Sequence, residues 1–173
     1  MHDGQTQYQV RFDWGVAGAR AIGEGVDAII LVDVLPGVLR EPQQPTVEGP
    51  TVIRGNLRNR AAVAQWALAA QGDKGDRFMI AVVAGGEPRD DGSIRFAVED
   101  LLGAGAIIDA LGDVGIDYCS PEAAAASAAY TGLKNATGHL IGASASGRAL
   151  AADGRRAEID HAIARDAADP IGE

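Results

Sequence analysis

Three short apolar runs constrain this chain more than any other feature. "AIILVDVL" (Ala28 to Leu35) is apolar without alternation and is broken only by Asp33. "TVIRG" (Thr51 to Gly55) and "RFMIAVVAGG" (Arg77 to Gly86) follow it. A strand with no polar face is covered on both sides, which is the habit of parallel sheets. Between and after the runs lie helix-forming segments: "LRNRAAVAQWALAAQ", a segment from Ile94 to about Leu111, and the alanine-rich "EAAAASAAYTGL". Strands alternating with helices require right-handed crossovers and place helices on the sheet faces. The predicted fold is α/β: a mainly parallel, three-layer sheet flanked by helices, with a helical C-terminal part.

The remaining elements fit that frame. "QYQVRFD" (Gln7 to Asp13) alternates as a half-buried strand, and "WGVAGARAIGEG" reads as a short helix. Ser120-Pro121 opens a helix, with serine as cap and proline at the first helical position. Further helices are expected through "ASASGRALAADG" and "RRAEIDHAIARDAA". "PGVLREPQQPTVEGP" (Pro36 to Pro50) holds four prolines and two glycines, a bridge without regular structure. Residues 1–173 are read as a single domain. Aromatic residues are only 5% of the chain, so Ala, Val, Ile and Leu must build the core.

Charge and cysteine usage exclude several function classes. A net charge of −9 argues against a nucleic-acid surface, which needs clustered Lys and Arg. It leaves room for a small anionic ligand in a locally basic pocket. A single cysteine, Cys119, excludes an intrachain disulfide and a cysteine-based zinc site, and is read as a buried structural thiol. No run approaches a membrane span and the first residues carry no apolar signal core. The expectation is a soluble, cytoplasmic protein, without a membrane partner and assembled as a homo-oligomer.

Ligands of open α/β sheets sit beyond the carboxyl ends of the strands. That rule selects Asp33, the "IRGNLRN" turn and the acid Glu87 after "VVAGG". Gly55 lets backbone approach a ligand closely, and the helix start that follows favours negative charge. Arg54 or Arg58 would add a guanidinium fork to an anion. The plainer alternative is that Asn56 caps the helix and both arginines face water.

An acid such as Asp33 in an apolar strand must be paired, hydrogen-bonded or at the strand's open end. In "EPRDDGSIRFAVEDLLGAG", a helix starting near Asp91 would align Asp91, Arg95 and Glu99 on one face. Asp100 would lie about 100° further round. Carboxylates clustered there could hold a hard cation such as Mg²⁺, although a solvated ladder has the same spacing. "GASASGRA" has P-loop glycine spacing without the lysine, and "GASAS" lacks the last glycine of a nucleophile elbow. His2, His139 and His161 have no metal-ligand spacing.

Taken together, "RFDWGVAGAR" with "DAIILVDVL", "IRGNLRNRAAVA", "AVVAGGEPRDDGSIRFAVEDLLGAGAIIDAL" and "SPEAAAASAAY" with "SASGRAL" resemble the 2-phosphosulfolactate phosphatase family. The resemblance implies an α/β fold and a Mg²⁺-dependent phosphatase that converts 2-phospho-3-sulfolactate to 3-sulfolactate. Matching residues imply catalytic roles for Asp33, Glu87, Glu99 and Asp100, and metal ligation by Asp33, Asp91 and Glu99. They imply substrate binding by Gly55, Asn56, Asn59, Ser146, Gly147 and Arg148, to which the turn chemistry adds Arg54. The chain departs from the family at "DVLPGVLREPQQP", where hydroxyl residues and a helix are usual. It also lacks a later "PNG"-type turn, and Ala149 stands where a Glu usually follows "SGR". The short Pro36–Pro50 bridge therefore leaves two expectations open: a phosphatase acting on a small phosphorylated acid, or an inactive relative that binds small anions or serves assembly.

Overall fold

The computed structural model describes residues 4–35 and 49–167. Most of the Pro-rich bridge, residues 36–48, lies outside the described residues. Four strands form one parallel sheet: β1 (Val10–Trp14), β2 (Ala28–Val32), β3 (Thr51–Gly55) and β4 (Ile80–Ala84), in the order β1-β4-β2-β3. Helices pack on both faces, giving the expected three-layer α/β architecture. α1 (Gly15–Ile22) covers one face, where Ala19 and Ile22 meet Ile29, Ala81 and Val83. α2 (Arg60–Lys74), α3 (Val98–Asp113) and α4 (Pro121–Leu133) cover the other, over Ile30, Val32, Ile53 and Val82. α5 (Thr137–Ala143), α6 (Ala145–Ala152) and α7 (Arg156–Ala162) form the helical C-terminal part and add Ile141, Leu150 and Ile159 to that core. Among the described residues, no helix is long and apolar enough to cross a membrane.

Local chemistry accounts for several boundaries. Ser120 caps α4 by accepting the N–H of Ala123 at 3.1 Å. Gly75, at φ +70°, ends α2 in the left-handed region, where glycine pays no steric penalty. β1 carries a buried arginine: Arg11 donates to the carbonyls of Thr6, Tyr8, Ile22 and Glu24. Its guanidinium thereby satisfies carbonyls at the end of α1 that burial would otherwise orphan.

One expectation is corrected here. The helix expected from Ile94 begins at Val98, and a hairpin precedes it. Its strands are β5 (Glu87–Pro88) and β6 (Ile94–Arg95), paired antiparallel. The reason is turn chemistry in "RDDGS". Asp91 Oδ1 accepts the backbone N–H and the hydroxyl of Ser93, and Gly92 takes φ +81°. A ladder of Asp91, Arg95 and Glu99 on one helix face therefore does not form. The helix expected within 143–154 is α6, and Ser144 both ends α5 and caps α6 by accepting the N–H of Gly147 at 3.0 Å.

Candidate functional site

β1, β2 and β4 all end at the same rim of the sheet, and a cleft of about 300 Å³ opens there. Its walls come from the start of α1, the ends of β2 and β4, and the β5–β6 hairpin. Asp33, the residue after β2, and Arg54, near the end of β3, both line it. Burial raises the carboxyl of Asp33 from 3.8 to about 6; the nearby Arg54 guanidinium lowers it, and Glu99 raises it further. Such a group changes charge close to neutrality.

Behind the cleft the first turn of α3 supplies two buried acids, Glu99 and Asp100, 2% and 3% exposed. Asp100 is a clamp: Oδ1 accepts the N–H of Val34 at 2.8 Å and Oδ2 that of Gly86 at 2.9 Å. It thereby fastens the chain leaving β2 to the chain leaving β4. Those strand ends are joined a second time by the Gly85 N–H, which donates to the Val32 carbonyl at 2.8 Å. Burial, then the charge of Asp33, push the Asp100 carboxyl up to about 8, against the two backbone donors. Glu99 differs, since its Oε2 is buried with no hydrogen-bond partner. A buried carboxylate oxygen in that state is costly and open to a ligand.

The hairpin roofs the cleft. Glu87 and Arg95 face each other across it and form an ion pair, with Arg95 Nε 2.8 Å from Glu87 Oε2. Arg95 Nη2 also donates to Ser146 Oγ at 3.1 Å, tying the hairpin to the start of α6. Ile94 drops between Gly15 and Gly86, both at positive φ, so closely that a Cβ on either would overlap its side chain. Glu87 is therefore occupied by Arg95, and Ser146 reaches the site through the same arginine.

The family model described as 2-phosphosulpholactate phosphatase matches residues 43–173, about three quarters of the chain. The chain belongs to the 2-phosphosulpholactate phosphatase family. No curated protein matches it. Asp33 lies before the matched stretch, whereas the other candidate site residues fall within it.

The structure divides the candidates for a phosphosulpholactate-type site into groups. Asp33, Glu99 and Asp100 come together, with Arg54 beside them. Asp91 sits in the exposed hairpin turn, where Ser93 holds its carboxyl below the ordinary range. Asn56 and Asn59 satisfy each other: Asn59 Oδ1 accepts the Asn56 N–H at 2.9 Å, and Asn56 Oδ1 accepts the N–H of Asn59 at 3.2 Å and that of Arg58 at 2.8 Å. Asn56 and Arg58 line a separate hollow of about 330 Å³ against α7, with His161. Asn59 stands at the N-cap of α2, but its side chain accepts no N–H of the helix.

Two glycines have packing reasons. A Cβ on Gly55 would lie 2.7 Å from Ile30 Cγ2, and one on Gly147 would overlap the Ile141 carbonyl. Arg148 is exposed on α6. Cys119 is partly buried beside β1, and burial pushes its thiol up, as suits a structural residue.

Sequence reasoning missed Arg20 and Ile94, which line the cleft, because it selected three strand ends and omitted that of β1. The available clue was "DWGVAGAR": a strand end followed at once by a helix carrying an arginine. Among the described residues there is no group of three or more His, Cys, Asp or Glu placed to hold a metal. A smaller set suits Mg²⁺, which takes one or two carboxylates and completes its shell with water and phosphate. The carboxylates that would hold such a cation are Asp33 in the cleft and Glu99, whose Oε2 is unpartnered.

Proposed function

We propose that this chain is a Mg²⁺-dependent phosphatase that removes phosphate from a small phosphorylated acid such as 2-phospho-3-sulfolactate. One observation carries it: a buried acidic cluster, Asp33 with Glu99 and Asp100, stands at the strand-end cleft beside Arg54. Family membership supports the reaction class.

Asp33 and Glu99 would hold the cation, which when bound neutralises charge on the phosphoryl group. Arg54 binds the anion by charge-assisted hydrogen bonds. Asp100 keeps the ends of β2 and β4 in register, so that Asp33 is presented on a fixed backbone. The hairpin, with Ile94 seated on Gly15 and Gly86, restricts water on one side of the cleft. Below about pH 6 Asp33 holds a proton, and cation and proton compete for the same oxygens. Hydrolysis by direct attack of water on phosphorus needs no nucleophilic side chain, and Cys119 lies away from the cleft lining.

The alternative is an inactive relative that binds small anions, favoured by the exposed position of Arg148 and by the occupation of both Asp100 oxygens. Phosphate release from 2-phospho-3-sulfolactate and a panel of phospho-acids separates the two. Turnover that requires Mg²⁺, stops with chelator and drops at least a hundredfold in Glu99→Gln is expected. Folded protein with no turnover on any member of the panel would select the inactive relative.

A further inference from the structure

Two arginines border the cleft, and they come from different elements. Leu31 of β2 pairs with Val83 of β4 on one side and with Arg54 of β3 on the other, so the three lie in one row across the sheet. Side chains in such a row share a face. It is the face that α1 covers, since Ala19 and Ile22 pack with Val83, and Leu31 borders the same cluster. α1 rests on β1 and β4. Arg54 stands on the edge strand β3, two interstrand steps from β4, or roughly 10 Å.

The helix brings the second arginine. Val16, Ala17 and Arg20 all line the cleft, and Val16 and Arg20 are one turn apart on α1. Helical side chains lean toward the N-terminus of their helix. α1 starts at the rim, directly after β1, so that lean carries the Arg20 guanidinium toward the cleft. An arginine in a last helical turn ordinarily serves the helix carbonyls. Here Arg11 does so: its Nη1 donates to the carbonyls of Ile22 at 2.9 Å and Glu24 at 2.7 Å. Arg60, Arg95 and Arg155 each pair with a carboxylate, whereas Arg20 is exposed and has no ion-pair partner among the described residues. A guanidinium so placed is available to a ligand, and its planar fork fits a carboxylate or a sulfonate.

We infer that Arg20 is a specificity-determining residue: it holds the acid group of the substrate that is not phosphate, while Arg54 stays with the phosphoryl group. This rests on the phosphatase reading for the phosphoryl end, but the role of Arg20 is a matter of binding and can be read without turnover. In a chain of net charge −9, an acid on the ligand gains from a cation facing it. Removing Arg20 therefore deprives an acidic ligand of its anchor and leaves a neutral ligand of the same shape unaffected.

The test uses two non-hydrolysable phosphonates that differ in a single charge, 2-methyl-3-phosphonopropanoate and 2-methyl-3-phosphonopropanamide, titrated calorimetrically into the full chain in Mg²⁺. Turnover of the matching esters, 2-phospholactate and 2-phospholactamide, is measured beside them. Wild type is expected to bind the acid about tenfold more tightly than the amide, the scale of one charge-assisted fork at an exposed site. Arg20→Gln should weaken the acid to the level of the amide and leave the amide unchanged, and in turnover should raise KM for phospholactate with little change in kcat. Equal binding of acid and amide by wild type, or an Arg20→Gln variant that weakens both alike or neither, overturns the inference. Phosphate release in that case leaves the phosphatase reading intact. Discrimination that depends on Arg20 without hydrolysis of either ester supports the inference and counts against the phosphatase reading. No binding of either phosphonate by wild type at millimolar concentration overturns the inference as well.

Discussion

Asp100 Oδ2 accepts the backbone N–H of Gly86 at 2.9 Å, while its other oxygen holds Val34, so one side chain on α3 locks two strand ends together. Asp33 directly precedes one of those attachment points, Val34. Its position in the cleft is thus set by a residue on a helix distant in sequence. Replacing the clamp leaves two buried N–H groups without acceptors. Asp100→Ala is expected to destabilise the fold by about 2–4 kcal/mol, the cost of two such groups partly offset by removing a buried acid. Urea denaturation measures it; an unchanged midpoint would deny the clamp its role.

The two raised carboxyls make stability depend on pH. Folding holds Asp33 at about 6 and Asp100 at about 8, both above the 3.8 of an unfolded aspartate. The folded chain therefore binds more protons than the unfolded chain between those values. Their contribution is complete below about pH 4 and is lost as pH rises through the folded values. Unfolding free energies from urea titrations with chelator should fall from pH 5 to pH 8, by roughly 2–4 kcal/mol in total. Asp33→Asn should remove the portion lost near pH 6. A midpoint that climbs over this range would contradict the burial of the pair.

Glycines within helices separate packing from propensity. Gly105 in α3 lies against α4, where a Cβ would overlap the Ala126 carbonyl and stand 2.8 Å from Tyr130 Cβ. Gly72 in α2 faces open space. Gly105→Ala is expected to cost about 1–3 kcal/mol, because overpacking against backbone outweighs the helix gain. Gly72→Ala should stabilise by roughly 0.5–1 kcal/mol. Thermal melts of both variants decide the matter, and equal shifts would count against a close α3–α4 contact.

The hairpin is held shut by Arg95, paired with Glu87 and Ser146. Arg95→Met removes both ties and keeps the bulk of the side chain. The exposed turn contains Arg89, a trypsin site. Limited trypsinolysis there is expected to quicken about tenfold in the variant, as the opening equilibrium shifts by roughly 1–2 kcal/mol. Unchanged cleavage would show that Ile94 alone keeps the roof in place.

Strand identity was legible because parallel strands leave no polar face, and "AIILV" and "IAVVA" have none. Asp33 was legible for the converse reason, as the one acid in an apolar run. The hairpin was missed because Asp91, Arg95 and Glu99 happen to have helical spacing, and a periodicity count does not weigh the "DG" turn that breaks it. The clamp was not legible either: a charge in the first turn of a helix reads as dipole compensation, and only tertiary structure brings Val34 and Gly86 onto it. Gly103 and Gly105 are poor helix formers by propensity, yet they stand inside α3. They are where Val32 and Val34 on one side, and α4 on the other, come closest to its axis.

The central claim is that Asp33 and its acidic neighbours make the strand-end cleft a Mg²⁺-dependent phosphatase site. The most direct measurement is phosphate release from 2-phospho-3-sulfolactate and a panel of phospho-acids by wild type and Asp33→Asn, in Mg²⁺ and in chelator, on protein shown to be folded by circular dichroism. Metal-dependent turnover by the wild type on at least one of them, reduced at least a hundredfold in Asp33→Asn, is expected. Turnover in Asp33→Asn equal to that of the wild type, or turnover indifferent to chelator, would contradict it.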